Sequence, residues 1–165
     1  FTLALSNILY MPEGTEPETQ RYDMSFDEKN TWAFLAIAIV GYAAYVVLVL
    51  ASADGKSLTD LDYGPAMLWT ISGAIVAGIL ANIIISVSSP KDAGKRDRRD
   101  KEIGRFGDSA GHAFVIIGAV AAMLLALIQA DYFWIANVIY VCFCLAAVLS
   151  SIIKLIAYRR GLPSW

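Results

Sequence analysis

A chain of 165 residues has the length of a single domain. With 58% hydrophobic and only 17% charged residues, against about 25% charged in an ordinary soluble domain, its composition excludes a soluble globule. The formal net charge of −2 excludes little by itself, because the charges are segregated rather than spread. No charged residue falls in 31–53, 63–90 or 109–130, and Lys154 is the only one in 132–158. Uncharged apolar runs of about 20 residues are what a ~30 Å hydrocarbon core requires, whereas each helix of a soluble bundle carries a polar face. The expected fold is all-α: a polytopic membrane protein with four transmembrane helices arranged as two hairpins.

Residues 1–10 (FTLALSNILY) are apolar but too short to cross a bilayer, and they lack the basic n-region of a signal peptide. The next stretch, MPEGTEPETQRYD, is rich in Pro, Glu and Thr and reads as flexible and polar. Met11 and Met24 are each plausible natural starts. Residues 1–23 are therefore expected to be a flexible N-terminal extension, or else a lipid-surface contact through Leu3, Leu5, Ile8 and Leu9. Residues 24–165 are expected to form the compact transmembrane domain.

Ser25-Phe-Asp-Glu has the form of a capping box, with Ser25 at the N-cap and Glu28 three residues on. The first membrane helix is predicted over about 31–52, with Trp32 at an interface and Gly41 admitting a close neighbour. Residues 53–62 (ADGKSLTDLD) read as a polar loop turning at Asp54-Gly55. The second helix, about 65–88, opens at Pro65 and carries Gly73, Ala74, Ala77, Gly78 and Ala81, small residues that favour tight packing in lipid. The densest run of charge follows at 90–108 (PKDAGKRDRRDKEIGRFGD). A third helix is predicted over about 109–129 and a fourth over about 132–158, joined by a very short connection at Asp131. Tyr132, Phe133 and Trp134 open the fourth helix; Tyr158, Arg159 and Arg160 close it before Gly161 and Pro163. Lys154, about one turn inside that end, is expected to snorkel outward.

Orientation follows from Lys and Arg. The 53–62 loop holds Lys56 alone and the 130–131 connection holds none. The 90–108 loop holds Lys91, Lys95, Arg96, Arg98, Arg99, Lys101 and Arg105, and the C-terminal end holds Lys154, Arg159 and Arg160. The positive-inside rule thus expects both termini and the 90–108 loop in the cytoplasm, and an even number of spans requires the termini to share a side. A weak repeat is also visible. Ala33-Phe34 and Ala113-Phe114 open the first and third helices, and Asp62-Tyr63 and Asp131-Tyr132 precede the second and fourth.

The charged loop mixes signs. Asp92–Arg96, Arg96–Asp100, Asp97–Lys101 and Arg98–Glu102 stand at i,i+4, pairs worth about 0.2–0.5 kcal/mol each in a surface helix. Such a helix would lay Ile103 and Phe106 on the membrane surface. Two uses follow: a solvated connector, or a docking surface for a partner protein or anionic headgroups. For the second, Lys95, Arg96, Arg98, Arg99, Asp100, Lys101 and Arg105 are the candidate partner-binding residues. The interleaved acids, and the lack of interleaved aromatic residues, argue against nucleic acid.

Other constellations point away from catalysis. Cys142 and Cys144 are two apart on one helix, so their side chains diverge and cannot readily bridge. His112 is the single histidine, which excludes a two-histidine haem or a multi-histidine metal site within one chain. It is expected to make an interhelical polar contact with Asn82. No Asp, Glu or Arg lies centrally in a membrane helix, where an ionisable residue would mark a pathway. No catalytic set, phosphate loop or dinucleotide fingerprint stands in a suitable context. Neither a cofactor nor a metal is expected.

From Met24 onward, MSFDEKNTWAF, SPKDAGKRDRRDKEIGRFGDSAGHAF and IAYRRGLPSW carry a resemblance. The chain resembles small bacterial four-helix integral membrane proteins of the domain-of-unknown-function type. The resemblance implies the architecture and a multi-pass place in the bacterial inner membrane, and it brings no activity. The expected function is that of a non-enzymatic accessory or regulatory subunit, embedded in the lipid bilayer, whose 90–108 loop contacts a membrane or cytoplasmic protein. The alternative is a small transporter or channel acting as a homo-oligomer.

Overall fold

The computed structural model describes residues 24–88 and 98–161. Among these the chain is all-helical: α1 (Phe26–Ala53), α2 (Gly64–Ser88), α3 (Arg98–Leu127) and α4 (Tyr132–Arg160), with a 3-10 turn at Leu58–Asp60. All four α-helices are long and apolar enough to cross a membrane. At 1.5 Å per residue, helices of 25 to 30 residues reach roughly 38–45 Å, beyond a ~30 Å hydrocarbon core. Large apolar side chains such as Val40, Trp69, Ile84 and Leu127 stand exposed on their outer faces. In water such faces would drive aggregation; against lipid they are at home.

Local chemistry sets the helix ends. The Ser25 hydroxyl accepts the Glu28 backbone N–H at 3.2 Å, so α1 starts at Phe26 rather than near 31. Asp54 and Gly55 turn the chain out of α1 with φ of 35° and 77°, as the Asp-Gly pair predicts. At the end of α3, the Ala130 N–H bonds the Leu125 carbonyl and the Gln129 N–H bonds the Ala126 carbonyl. That double bond pattern is a Schellman motif. Asp131 then caps α4, its carboxylate accepting the Phe133 N–H at 2.8 Å.

The largest departure from the sequence reading lies in α3. It begins at Arg98, not near 109, so the described part of the charged segment is a continuation of a membrane helix. Ile103 does not lie on the membrane surface; it is 0% exposed, packed with Ala157 and Tyr158 of α4. α4 reaches Arg160 and gives the charged turns a wall to pack on, which is why α3 need not stop where the charges begin. Residues 1–23 and 90–97 of the expected extension and loop lie outside the described residues.

Neighbours run in the order α2, α1, α4, α3. Small residues set the close approaches. Gly41 faces Ala74, and Gly78 lies under the Phe34 ring. Gly107, Gly111 and Gly118 lie against Lys154, Ala146 with Ser150, and Cys142. α3 and α4 are therefore antiparallel, with one glycine-lined seam. A two-fold relation between the halves would pair α2 with α3 as α1 pairs with α4, and no comparable contact joins α2 to α3. At the end away from the charges, Tyr45, Val49, Leu61, Phe133 and Tyr140 form a buried core.

Candidate functional site

At the charged end, α1, α3 and α4 enclose a polar cavity of about 600 Å³. Three helices contribute because each turns polar at the same depth. α1 brings Asp27, Asn30 and Thr31; α3 brings Asp100, Lys101, Arg105 and Asp108; α4 brings Ser150, Ser151, Lys154 and Tyr158. Lys154 Nζ donates to Asp108 Oδ1 at 2.6 Å, and the Ser150 hydroxyl donates to the same oxygen at 3.2 Å. Lys154 thus does not simply snorkel; it ties α4 to α3. The pair is partly exposed, so by itself it is worth roughly 0–1 kcal/mol. The Thr31 hydroxyl donates back to the Asp27 carbonyl at 2.7 Å. The Asn30 side-chain oxygen is buried with no hydrogen-bond partner, which an orphaned acceptor tolerates only at a cost of about 1–3 kcal/mol. The Tyr158 side chain faces Ser25, Asp27 and Asp100.

The candidate partner-binding residues divide into two sets. Arg98, Lys101 and Arg105 stand exposed on one face of α3 with Glu102, and Arg98 pairs with Glu102 at 3.2 Å. Arg99, itself exposed, and the half-buried Asp100 reach toward α4. Arg99 Nη2 donates to the Tyr158 carbonyl at 3.3 Å, and Asp100 faces the Tyr158 side chain. Lys95 and Arg96 lie outside the described residues. The helical phase explains the division: 98, 101, 102 and 105 share one face, away from Ile103, Gly107 and Gly111, and Lys101 and Arg105 stand at its edge, where they also line the polar cavity.

Asn82 and His112 are not brought together. Asn82 lines an apolar crevice between α1, α2 and α4, while the exposed His112 ring lies 3.2 Å from the Asp108 carbonyl oxygen of its own helix. Their helices are the two outer ones in the packing order, so the expected interhelical contact has no geometry to form in. The cysteines also separate, Cys142 toward Gly118 and Cys144 into the crevice.

The cavity residues Asn30, Ser150, Ser151, Asp108 and Lys154 were not singled out from sequence as a group. A signal exists in retrospect: two serines and a lysine end an otherwise apolar helix, at the depth where Asn30 and Thr31 begin another. The aromatic network Tyr45, Tyr140 and Asn137 was missed as well. Nothing in the chain marks these tyrosines as partners, yet the Tyr45 hydroxyl donates to Asn137 Oδ1 at 2.7 Å and the Tyr140 hydroxyl donates to the Thr70 hydroxyl at 3.3 Å. Compared with known proteins, the chain matches no protein-family model, no curated protein and no solved structure.

Proposed function

We propose that this is a multi-pass protein of the bacterial inner membrane, both termini cytoplasmic, that serves without catalysis as an accessory or regulatory subunit. Its docking element is the charged end of α3. One observation carries the reading: Ile103 is fully buried on α4 while Arg98, Lys101 and Arg105 stand exposed, the last two beside the polar cavity. A connector that only obeyed the positive-inside rule would need no such anchor. Fixed to a membrane helix, these charges occupy set positions, and set positions are what a partner of complementary charge can read. Exposed Arg159 and Arg160 of α4 extend the same basic end. The resemblance of residues 24–165 to small bacterial four-helix membrane proteins supports the architecture and the membrane, and the distribution of Lys and Arg supports the orientation.

The test is purification from the native membrane in gentle detergent, with the wild-type chain and the triple variant Arg98→Glu, Lys101→Glu, Arg105→Glu. The wild-type protein should retain a stoichiometric protein partner, and the variant should lose it while remaining folded. Equal recovery from both proteins, or a wild-type protein that purifies alone as a monomer, sinks the docking role. The alternative, a homo-oligomeric transporter or channel, is distinguished by solute flux into liposomes holding the purified chain alone.

A further inference from the structure

Two cavities meet within the helices. The polar cavity of about 600 Å³ lies at the charged end; an apolar crevice of about 700 Å³ runs between α1, α2 and α4. Phe34 and Ala147 line both, so little more than a ring and a methyl group divide them. The crevice extends along α1 from Phe34 to Tyr42, roughly 12 Å by the helical rise. Apart from Asn82 and its two tyrosines, its walls are aliphatic, aromatic or cysteine side chains. Its walls diverge because α2 and α4 both pack on α1 but make little contact with each other.

The polar cavity carries both signs. Asp27, Asp100 and Asp108 are matched by Lys101, Arg105 and Lys154; Asp108 pairs with Lys154, and Asp27 and Asp100 also face Tyr158. A balanced lining suits a zwitterion better than a lone anion or cation, each of which would face like charge. Asp27 and Asp100 line the cavity with carboxylate acceptors, so the fitting head is one whose cation brings N–H groups. Depth agrees with this chemistry: the polar cavity lies where the helices turn from apolar to charged, the level of lipid headgroups, and the crevice lies at the level of acyl chains.

We propose that the two cavities form one site for a zwitterionic aminophospholipid from the leaflet at the charged end. Its ammonium group donates to the carboxylates of Asp27 and Asp100. Its phosphate meets Lys101 and Arg105, and an acyl chain passes Phe34 into the crevice.

The test titrates the full chain, purified in mild detergent and freed of lipid, with three dihexanoyl lipids. Phosphatidylethanolamine supplies N–H donors, phosphatidylcholine has the same charges without them, and phosphatidylglycerol is anionic. Phosphatidylethanolamine should bind at least about tenfold tighter than the other two, the scale of one hydrogen bond to a charged group. Ala147→Trp, at an exposed position between the cavities, should weaken binding of all three by about tenfold. The double variant Asp27→Ala, Asp100→Ala should abolish the preference for phosphatidylethanolamine over phosphatidylcholine, while Lys56→Ala at the far end changes nothing. Equal affinity of the wild-type chain for all three lipids overturns the proposal, as does binding that Ala147→Trp leaves intact. The comparison of headgroups on the wild-type protein decides the matter even where the double aspartate variant does not fold.

Discussion

Gln129 holds a left-handed backbone, φ 57°, at the turn between α3 and α4. The Schellman bonds of Ala130 and Gln129 require that conformation, and a side chain there is strained where glycine is not. Gln129→Gly should therefore stabilise the folded protein by roughly 0.5–1 kcal/mol, seen as a higher midpoint of thermal unfolding in micelles. Asn137 presents the opposite case. It accepts from Tyr45 and donates to the Phe133 carbonyl at 2.8 Å, so Asn137→Leu strands a tyrosine hydroxyl in an apolar core. A loss of roughly 1 kcal/mol is expected, the scale of interhelical hydrogen bonds in membrane proteins. An unchanged unfolding midpoint would show that Tyr45 finds another acceptor.

The seam between α3 and α4 is an element-scale feature, because it depends on several glycines meeting one facing helix. A Cβ on Gly111 would stand 2.9 Å from the Ala146 carbonyl oxygen and 3.2 Å from the Ser150 Cβ. Neither atom can yield without shifting α4, and overpacking of this kind costs roughly 1–3 kcal/mol. Gly104, on the same helix, has nothing within 4 Å of its Cβ position. There alanine gains helix propensity worth up to about 1 kcal/mol. Gly111→Ala should lower the unfolding midpoint and Gly104→Ala should hold or raise it. Equal effects would mean that propensity, not packing, governs this helix. The continuity of α3 through the charged turns belongs to the same scale. The i,i+4 charge pairs supply a modest local bias, and the burial of Ile103 against Ala157 and Tyr158 adds the tertiary contact that extends the helix to Arg98.

For the whole molecule, the order α2, α1, α4, α3 leaves an assembly that is closed at one end by the aromatic core and hollow at the other. The charged end of that hollow should face the cytoplasm. In a background lacking Cys142 and Cys144, cysteines introduced one at a time at Arg98 and Lys56 should label from opposite sides. Arg98→Cys should react only after a membrane-impermeant reagent is admitted to the cytoplasm, and Lys56→Cys should react in intact cells. The reverse pattern would invert the protein and place the docking face outside.

The number of helices able to cross a membrane, the capping by Ser25, the turn at Asp54-Gly55 and the short connection through Asp131 could all be read from the chain. Each is a property of neighbouring residues: the length of an uncharged run, a side chain within reach of the next backbone N–H, a backbone tolerant of positive φ. The neighbour order, the burial of Ile103, the separation of Asn82 from His112 and the cavity around Asn30 could not. In water, an amphipathic stripe announces which face of a helix is buried. In lipid, nearly every face is apolar, and the side that packs against protein is chosen by small residues meeting across helices. Gly107, Gly111 and Gly118 are visible in the chain, but not the Ser150, Ala146 and Cys142 they rest on. Those distances, and the polar hollow that they leave beside Lys154, exist only once the helices have been brought together.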